Sequence, residues 1–180
     1  MLSFLRDIRD WFRPKQEHLL AFARADCRLE SWFKGELLVL FARLQKDRRI
    51  TQIRREVQFG SGQSSRHLKV DFVLGLAEET HLCELKAPCI SEVVTSRNLQ
   101  FYFRENDRGL IRDFRKLDDV DEIHKWLLAF IYPRPDHAEW NRVVSKLPKE
   151  LHHWKPVTSP SDASPELFVS LWQSRVLDKS

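Results

Sequence analysis

The chain has 180 residues, 42% of them apolar and 31% charged, with three cysteines. That is one domain of ordinary globular composition, which excludes collagen-like, coiled-coil and largely disordered chains, and no apolar run approaches the ~20 residues of a bilayer span. Thirty lysines and arginines against 26 aspartates and glutamates leave a formal +4, which permits a polyanionic partner without demanding one.

The elements follow in chain order. Leu2, Phe4, Leu5, Ile8, Trp11 and Phe12 recur at helical spacing, and Pro14 separates this short amphipathic helix from a second over about 15–25. Arg6, Asp7, Arg9 and Asp10 break any apolar leader. An odd number of cysteines without CxxC spacing argues against disulfides and a cysteine zinc site. Intracellular residence is therefore expected.

A longer helix is predicted over about 29–46, because Trp32, Phe33, Leu37, Leu40, Phe41 and Leu44 repeat every three or four residues. The period then changes. Residues 50–59 read as a strand, 60–65 (GSGQSS) as a loop, and 68–76 as a second strand. Glu78-Glu79 forms a turn, and a third strand over 81–87 ends at Pro88. Residues 91–104 alternate at Leu99, Phe101 and Phe103 like a strand or extended loop. Asn106 or Asp107 caps a helix to about Leu117. Residues 125–132 form an apolar strand, 138–147 a helix, 155–165 a loop, and 167–172 a last strand. The expected class is α/β, a three-layer sandwich with a central mixed β-sheet flanked by helices. Its αβββαβ core covers about 29–132, with a helical extension over 1–28 and a helix/strand extension over 133–180. No GxGxxG joins a strand to a helix, which excludes a dinucleotide fingerprint.

The chemistry concentrates in Val70-Asp71-Phe72 and in Leu82-Cys83-Glu84-Leu85-Lys86. Glu84 and Lys86 share a strand face, since side chains alternate. Asp71 lies on the adjacent strand across a short turn, about 4.8 Å away, so both carboxylates can reach one cation. Oxygen donors of this kind suit Mg²⁺. A lysine beside them can orient or deprotonate a water and stabilise developing charge. Charged residues in apolar strands are costly unless paired. The competing reading is a structural ion-pair network.

Asp71-x12-Glu84-x-Lys86 on adjacent strands resembles the PD-(D/E)XK nuclease superfamily, whose restriction-endonuclease-like core has the αβββαβ order. The resemblance implies a Mg²⁺- or Mn²⁺-dependent nuclease acting on nucleic acid, on DNA more than RNA. It implies that Asp71 and Glu84 ligate the metal with the Leu85 main-chain carbonyl, and that Lys86 orients the attacking water. It also implies a helix carboxylate, for which Glu36, in a Glu-Leu-Leu start, is the choice over Glu30. Those two lie about 120° apart around a helix and cannot face one site. Val70 stands where the family often has proline.

Arg48, Arg49, Arg54 and Arg55, with Arg66 and His67 beyond the loop, are expected to line a nucleic-acid groove. Arg108, Arg112 and Arg115 form a basic stripe on the following helix, which Arg104 extends if the helix starts early. Charge protecting an edge strand and a plain solvated helix face are the competing readings of these groups. Lys116 and Asp113 are candidates for the site's edge, their position left open by the sequence. The histidines show no metal-ligand spacing, and His81 is a candidate neighbour of the site. Cys83 faces away from Glu84. Residues 150–180 are a candidate homodimer contact, with no membrane partner expected. A non-catalytic nucleic-acid-binding or protein-interaction module on the same fold is the alternative.

Overall fold

The computed structural model describes residues 2–25, 27–61, 64–90, 94, 98–121, 124–160 and 167–174, and of residues 2, 23, 60, 61 and 64–67 the backbone alone. Three helices come first: α1 (Leu2–Phe12), α2 (Gln16–Arg24) and α3 (Glu30–Lys46). The strands β1 (Gln52–Ser61), β2 (Ser64–Leu76) and β3 (Glu79–Lys86) follow. Then come α4 (Leu99–Tyr102), α5 (Leu110–Asp118), β4 (His124–Ile131), α6 (His137–Val144), β5 (Trp154–Pro156) and β6 (Phe168–Ser174). No helix among the described residues is long and apolar enough to cross a membrane.

The strands make one mixed sheet in the order β1-β2-β3-β4-β6-β5. β1, β2 and β3 form an antiparallel meander, whereas β4 runs parallel to β3 after the helical crossover. Burial on both faces explains why β4 is almost continuously apolar, and makes the charged Glu84 and Lys86 in the neighbouring β3 conspicuous. Two cores result. Phe33, Leu37 and Phe41 of α3 join Phe4, Ile8 and Phe12 of α1 over Phe72, Leu85, Trp126 and Phe130 on one face. Leu110, Phe114 and Leu117 of α5 and Trp140 of α6 cover Val73, Leu82, Leu127 and Trp172 on the other. The three-layer α/β sandwich read from the sequence is therefore the observed architecture.

The corrections are local. β2 begins at Ser64, four residues before the apolar pattern starts. Residues 99–102 form a helical turn rather than a strand, because the Asn98 Oδ1 accepts from the Phe101 N–H at 3.1 Å. The cap of α5 is Gly109 rather than Asn106 or Asp107. A Cβ there would lie 2.6 Å from the Arg104 carbonyl oxygen. Asn106 instead holds the preceding turn, accepting from the Arg108 N–H and donating to the Phe101 carbonyl. β5 falls at the start of a segment read as loop and pairs, among the described residues, with β6 alone. Of that loop, residues 161–165 lie outside the described residues.

Phe33 is fully buried, its ring centroid 4.4 Å from Phe130 and 5.2 Å from Phe12. Phe33→Ala should lose about 3–5 kcal/mol of unfolding free energy, the usual loss for a buried aromatic. Val39→Ala, on the exposed side of the same helix, should change it by less than about 0.5 kcal/mol. Urea titration monitored by tryptophan fluorescence measures both.

Candidate active site

The ladder between β2 and β3 ends at the pair Phe72–Cys83. Beyond it the strands part, and two carboxylates take over the hydrogen bonding. The Asp71 N–H donates to Glu84 Oε2 at 3.3 Å, and the Leu85 N–H donates to Asp71 Oδ2 at 3.0 Å. Each acidic side chain thus satisfies a backbone donor on the other strand, which the parted ladder would leave unpaired.

Asp71 occupies a turnover in β2. Val70 packs in the α5-side core and Phe72 in the α3-side core, although residues two apart in a regular strand share a face. Across the edge, β1 pairs Arg55 with Phe72 and Val57 with Val70, and Glu56 between them has a φ of 51°. That irregularity turns Asp71 toward the α3 layer, where Lys34 Nζ meets its Oδ1 at 2.7 Å. Glu84 and Lys86 point the other way, toward α5, as strand alternation requires. Lys116 Nζ lies 2.7 Å from Glu84 Oε1, and Lys86 Nζ lies 2.9 Å from Asp113 Oδ2.

Lys34 also contacts Glu30 at 2.9 Å, and Lys86 approaches Glu30 at 3.8 Å. Glu30 is therefore the α3 carboxylate that joins this cluster. Glu36, the residue chosen from the sequence, does not join it. It faces α1, accepting from Trp11 Nε1 at 2.9 Å and lying 3.3 Å from Lys15 Nζ. The rotation between them was read correctly, but the Leu-rich context of Glu36 marked the packed face of the helix and not the direction of the site.

Four carboxylates (Glu30, Asp71, Glu84, Asp113) and three lysines (Lys34, Lys86, Lys116) share the end of the sheet. One negative charge is in excess when all are ionised. Burial, reinforced by the neighbouring Asp71 charge, pushes the Glu84 carboxyl up to about 7 against the pull of Lys116. Burial likewise raises Asp113, despite Lys86. For Lys86, burial alone would favour the neutral amine, but Asp113 and Glu30 outweigh it and the ammonium is held more firmly than usual. Lys34 behaves the same way through Asp71 and Glu30.

The arginines divide. Arg108, with Arg28, Glu30, Lys86 and Tyr102, borders a pocket of about 270 Å³ at the mouth of the cluster. Arg112 is paired with Asp107 at 3.1 Å, and Arg115 with Glu105 and Glu150, so acidic neighbours neutralise much of the predicted stripe. Arg104 precedes α5 and does not extend it. Arg54 and Arg55 are exposed on β1, which is an edge of the sheet. Arg48 and Arg49 do not border the cluster. They follow α3 at the opposite end of the sheet, where Arg49 pairs with Asp7. Arg66 and His67 have side chains outside the described residues.

His81 is also displaced from its expected place. It is the third residue of β3, on the face opposite Glu84, with its ring against Trp126. Cys83 does face away from Glu84, and burial raises its thiol pKa far above the usual range. Of the residues 150–180 considered for dimerisation, β5 and β6 are built into the sheet, and 175–180 lie outside the described residues. Lys34 went unnoticed in the sequence. Its i,i+4 spacing from Glu30 was the available signal.

No family model, no curated protein and no solved structure matches this chain.

Glu84 binds its proton more tightly in the folded chain than in the unfolded one. Folding then takes up a proton between the ordinary carboxylate range and pH 7, so stability falls as the pH rises through that window. In EDTA-treated protein, the melting temperature should drop between pH 5 and pH 8, and Glu84→Gln should remove most of that drop. A variant whose melting keeps the full pH dependence would assign it to another group.

Proposed function

We propose that this chain is a metal-dependent nuclease that hydrolyses phosphodiester bonds in nucleic acid, DNA in preference to RNA. The observation that carries the reading is the meeting of Asp71 and Glu84 where β2 and β3 part, with Lys86 one step further along β3 and a pocket opening beside it. The element order α3-β1-β2-β3-α5-β4 agrees with the αβββαβ core that the motif implies.

The donor set suits a hard divalent cation. Asp71 and Glu84 offer carboxylate oxygens, and the cluster carries surplus negative charge. Asp71 and Glu84 would hold Mg²⁺ or Mn²⁺, with the Leu85 carbonyl nearby. Bound there, the ion would polarise the phosphodiester and acidify a water. Lys34 already touches both Glu30 and Asp71, so it keeps a partner when a cation takes Asp71 Oδ1.

The charge balance refines the role of Lys86. Asp113 and Glu30 hold it as an ammonium, so it donates hydrogen bonds and does not act as a base. Its work is to orient the attacking water and to stabilise negative charge developing on the phosphate. Asp113 aims it. Arg28 and Arg108 flank the mouth, where a backbone phosphate would meet guanidinium groups.

One observation favours a second reading, a binding module without catalysis. Lys34 and Lys116 pair with Asp71 and Glu84 as the chain stands, so the ion-pair network is satisfied by protein groups alone. A cleavage assay separates the two. Wild type, Asp71→Asn and Lys86→Ala are incubated with plasmid and single-stranded DNA in Mg²⁺, Mn²⁺ or EDTA. The nuclease reading expects metal-dependent cutting, reduced about 100-fold or more in each variant, and a Mn²⁺-dependent rise in melting that Asp71→Asn abolishes. DNA binding without cutting, and without any metal-linked rise in melting, establishes the binding module.

A further inference from the structure

The opposite end of β3 carries a second cluster that the nuclease reading does not use. His81 and His124 are register partners on the parallel strands β3 and β4, their ring centroids 4.9 Å apart. Glu79 lies two residues before His81. His81 Nε2 is 3.4 Å from Glu79 Oε2, and His124 Nε2 is 3.6 Å from Glu79 Oε1. One ligand atom from each residue falls within 4.8 Å of the other two.

These distances are long for N–H···O hydrogen bonds, which cluster near 2.9–3.0 Å. They fit the edges of a coordination polyhedron instead. Zinc–nitrogen and zinc–oxygen bonds of about 2.0–2.2 Å place tetrahedral ligands about 3.4 Å apart, whereas octahedral angles would bring them to about 2.9 Å. The two contacts run to different oxygens of Glu79, so they leave room for an ion among the three side chains without setting its coordination number. The donor set, two imidazoles and one carboxylate, is what favours zinc over the all-oxygen sites of Mg²⁺.

A second observation points the same way. The three residues line a pocket of about 530 Å³, together with Trp126, Arg49 and Gln173. Two of the lining side chains, His81 at 6% exposure and Trp126 at 2%, each carry a buried ring nitrogen that has no hydrogen-bond partner among the described residues, Nδ1 and Nε1 respectively. Buried polar atoms in proteins are nearly always satisfied. The pocket gives the three converging ligands a route to solvent, so a hydrated ion can reach them.

We infer that Glu79, His81 and His124 form a zinc site, distinct from the Asp71–Glu84 cluster, with its fourth coordination position open to this pocket and available to water. Two histidines and a glutamate with one open position is a donor set zinc accepts. The site joins β3 to β4 at the edge of the α1–α3 core, so the ion cross-links two neighbouring strands and adds stability in the folded state only.

The test is zinc binding by the full chain, stripped with EDTA, dialysed and titrated with ZnCl₂ against a chromophoric chelator, with Co²⁺ as a spectroscopic probe. Wild type should bind one Zn²⁺ at this site, and Co²⁺ should give the intense visible bands of a four-coordinate ion. His124→Ala and Glu79→Gln alter partly exposed positions and leave the core intact. Each should weaken binding by at least about 100-fold, since even residues that only orient a ligand cost 10–100-fold, while melting in EDTA stays at the wild-type value. Asp71→Asn should bind zinc like wild type. Binding that survives His124→Ala places the ion elsewhere, on thiols or on the Asp71 cluster, and overturns the inference. So does the lack of saturable binding. Because Asp71→Asn and His124→Ala report on different ends of the sheet, failure here leaves the nuclease reading to its own assay.

Discussion

The parting of β2 from β3 is the constraint on which the site depends. A sheet must end its ladders somewhere, and the backbone groups released there need partners. Here the partners are side chains. Asp71 and Glu84 each accept from the other strand's N–H, which fixes both carboxylates against the sheet and leaves their remaining oxygens to Lys34 and Lys116. The bonds that close the sheet are thus the bonds that position the acids. Truncating either side chain removes a charge and also orphans a backbone donor, whereas the amide variants remove the charge and keep an acceptor oxygen.

The turnover at Asp71 extends this constraint to the helices. Because Val70 and Phe72 fall in opposite cores, Asp71 is reached from the α3 layer while Glu84 is reached from the α5 layer. The cluster therefore spans the sheet's edge, and each outer layer contributes one acid and one lysine to it: Glu30 and Lys34 from α3, Asp113 and Lys116 from α5. Lys86 bridges the two, near both Asp113 and Glu30. Buried charges of this density persist when each has opposite neighbours, and burial still raises Glu84 and Asp113 against their lysines.

β3 also organises the far end. Its alternation sends Glu84 and Lys86 toward α5, and His81, Cys83 and Leu85 toward α3. One strand thereby presents two unlike donor sets: oxygen donors with lysines where it ends, and imidazoles with a carboxylate where it begins. The parallel pairing with β4 completes the second set by laying His124 beside His81.

Much of this was legible from residue order. The helical period of 29–46, the apolar strands and the breaks at Pro88 and Pro133 specify the layers, because burial of a single face imposes a recognisable period. Asp71, Glu84 and Lys86 stood out because charge inside apolar strands is expensive, and their proximity followed from a short turn between adjacent strands. Local chemistry likewise determined that Glu30 and Glu36 lie on different sides of α3. Which of them faces the cluster was a tertiary matter, decided when Trp11 of α1 and Lys15 just beyond it packed against Glu36. The same holds for Lys34, Asp113 and Lys116, which reach the acids from separate layers, and for the division of the arginines between the two ends of the sheet. The pairing of His81 with His124, far apart in the chain, arises only from the crossover that brings β4 beside β3. Periodicity and short turns report contacts between neighbours in sequence. Contacts across layers depend on rotations and registers that no local pattern encodes.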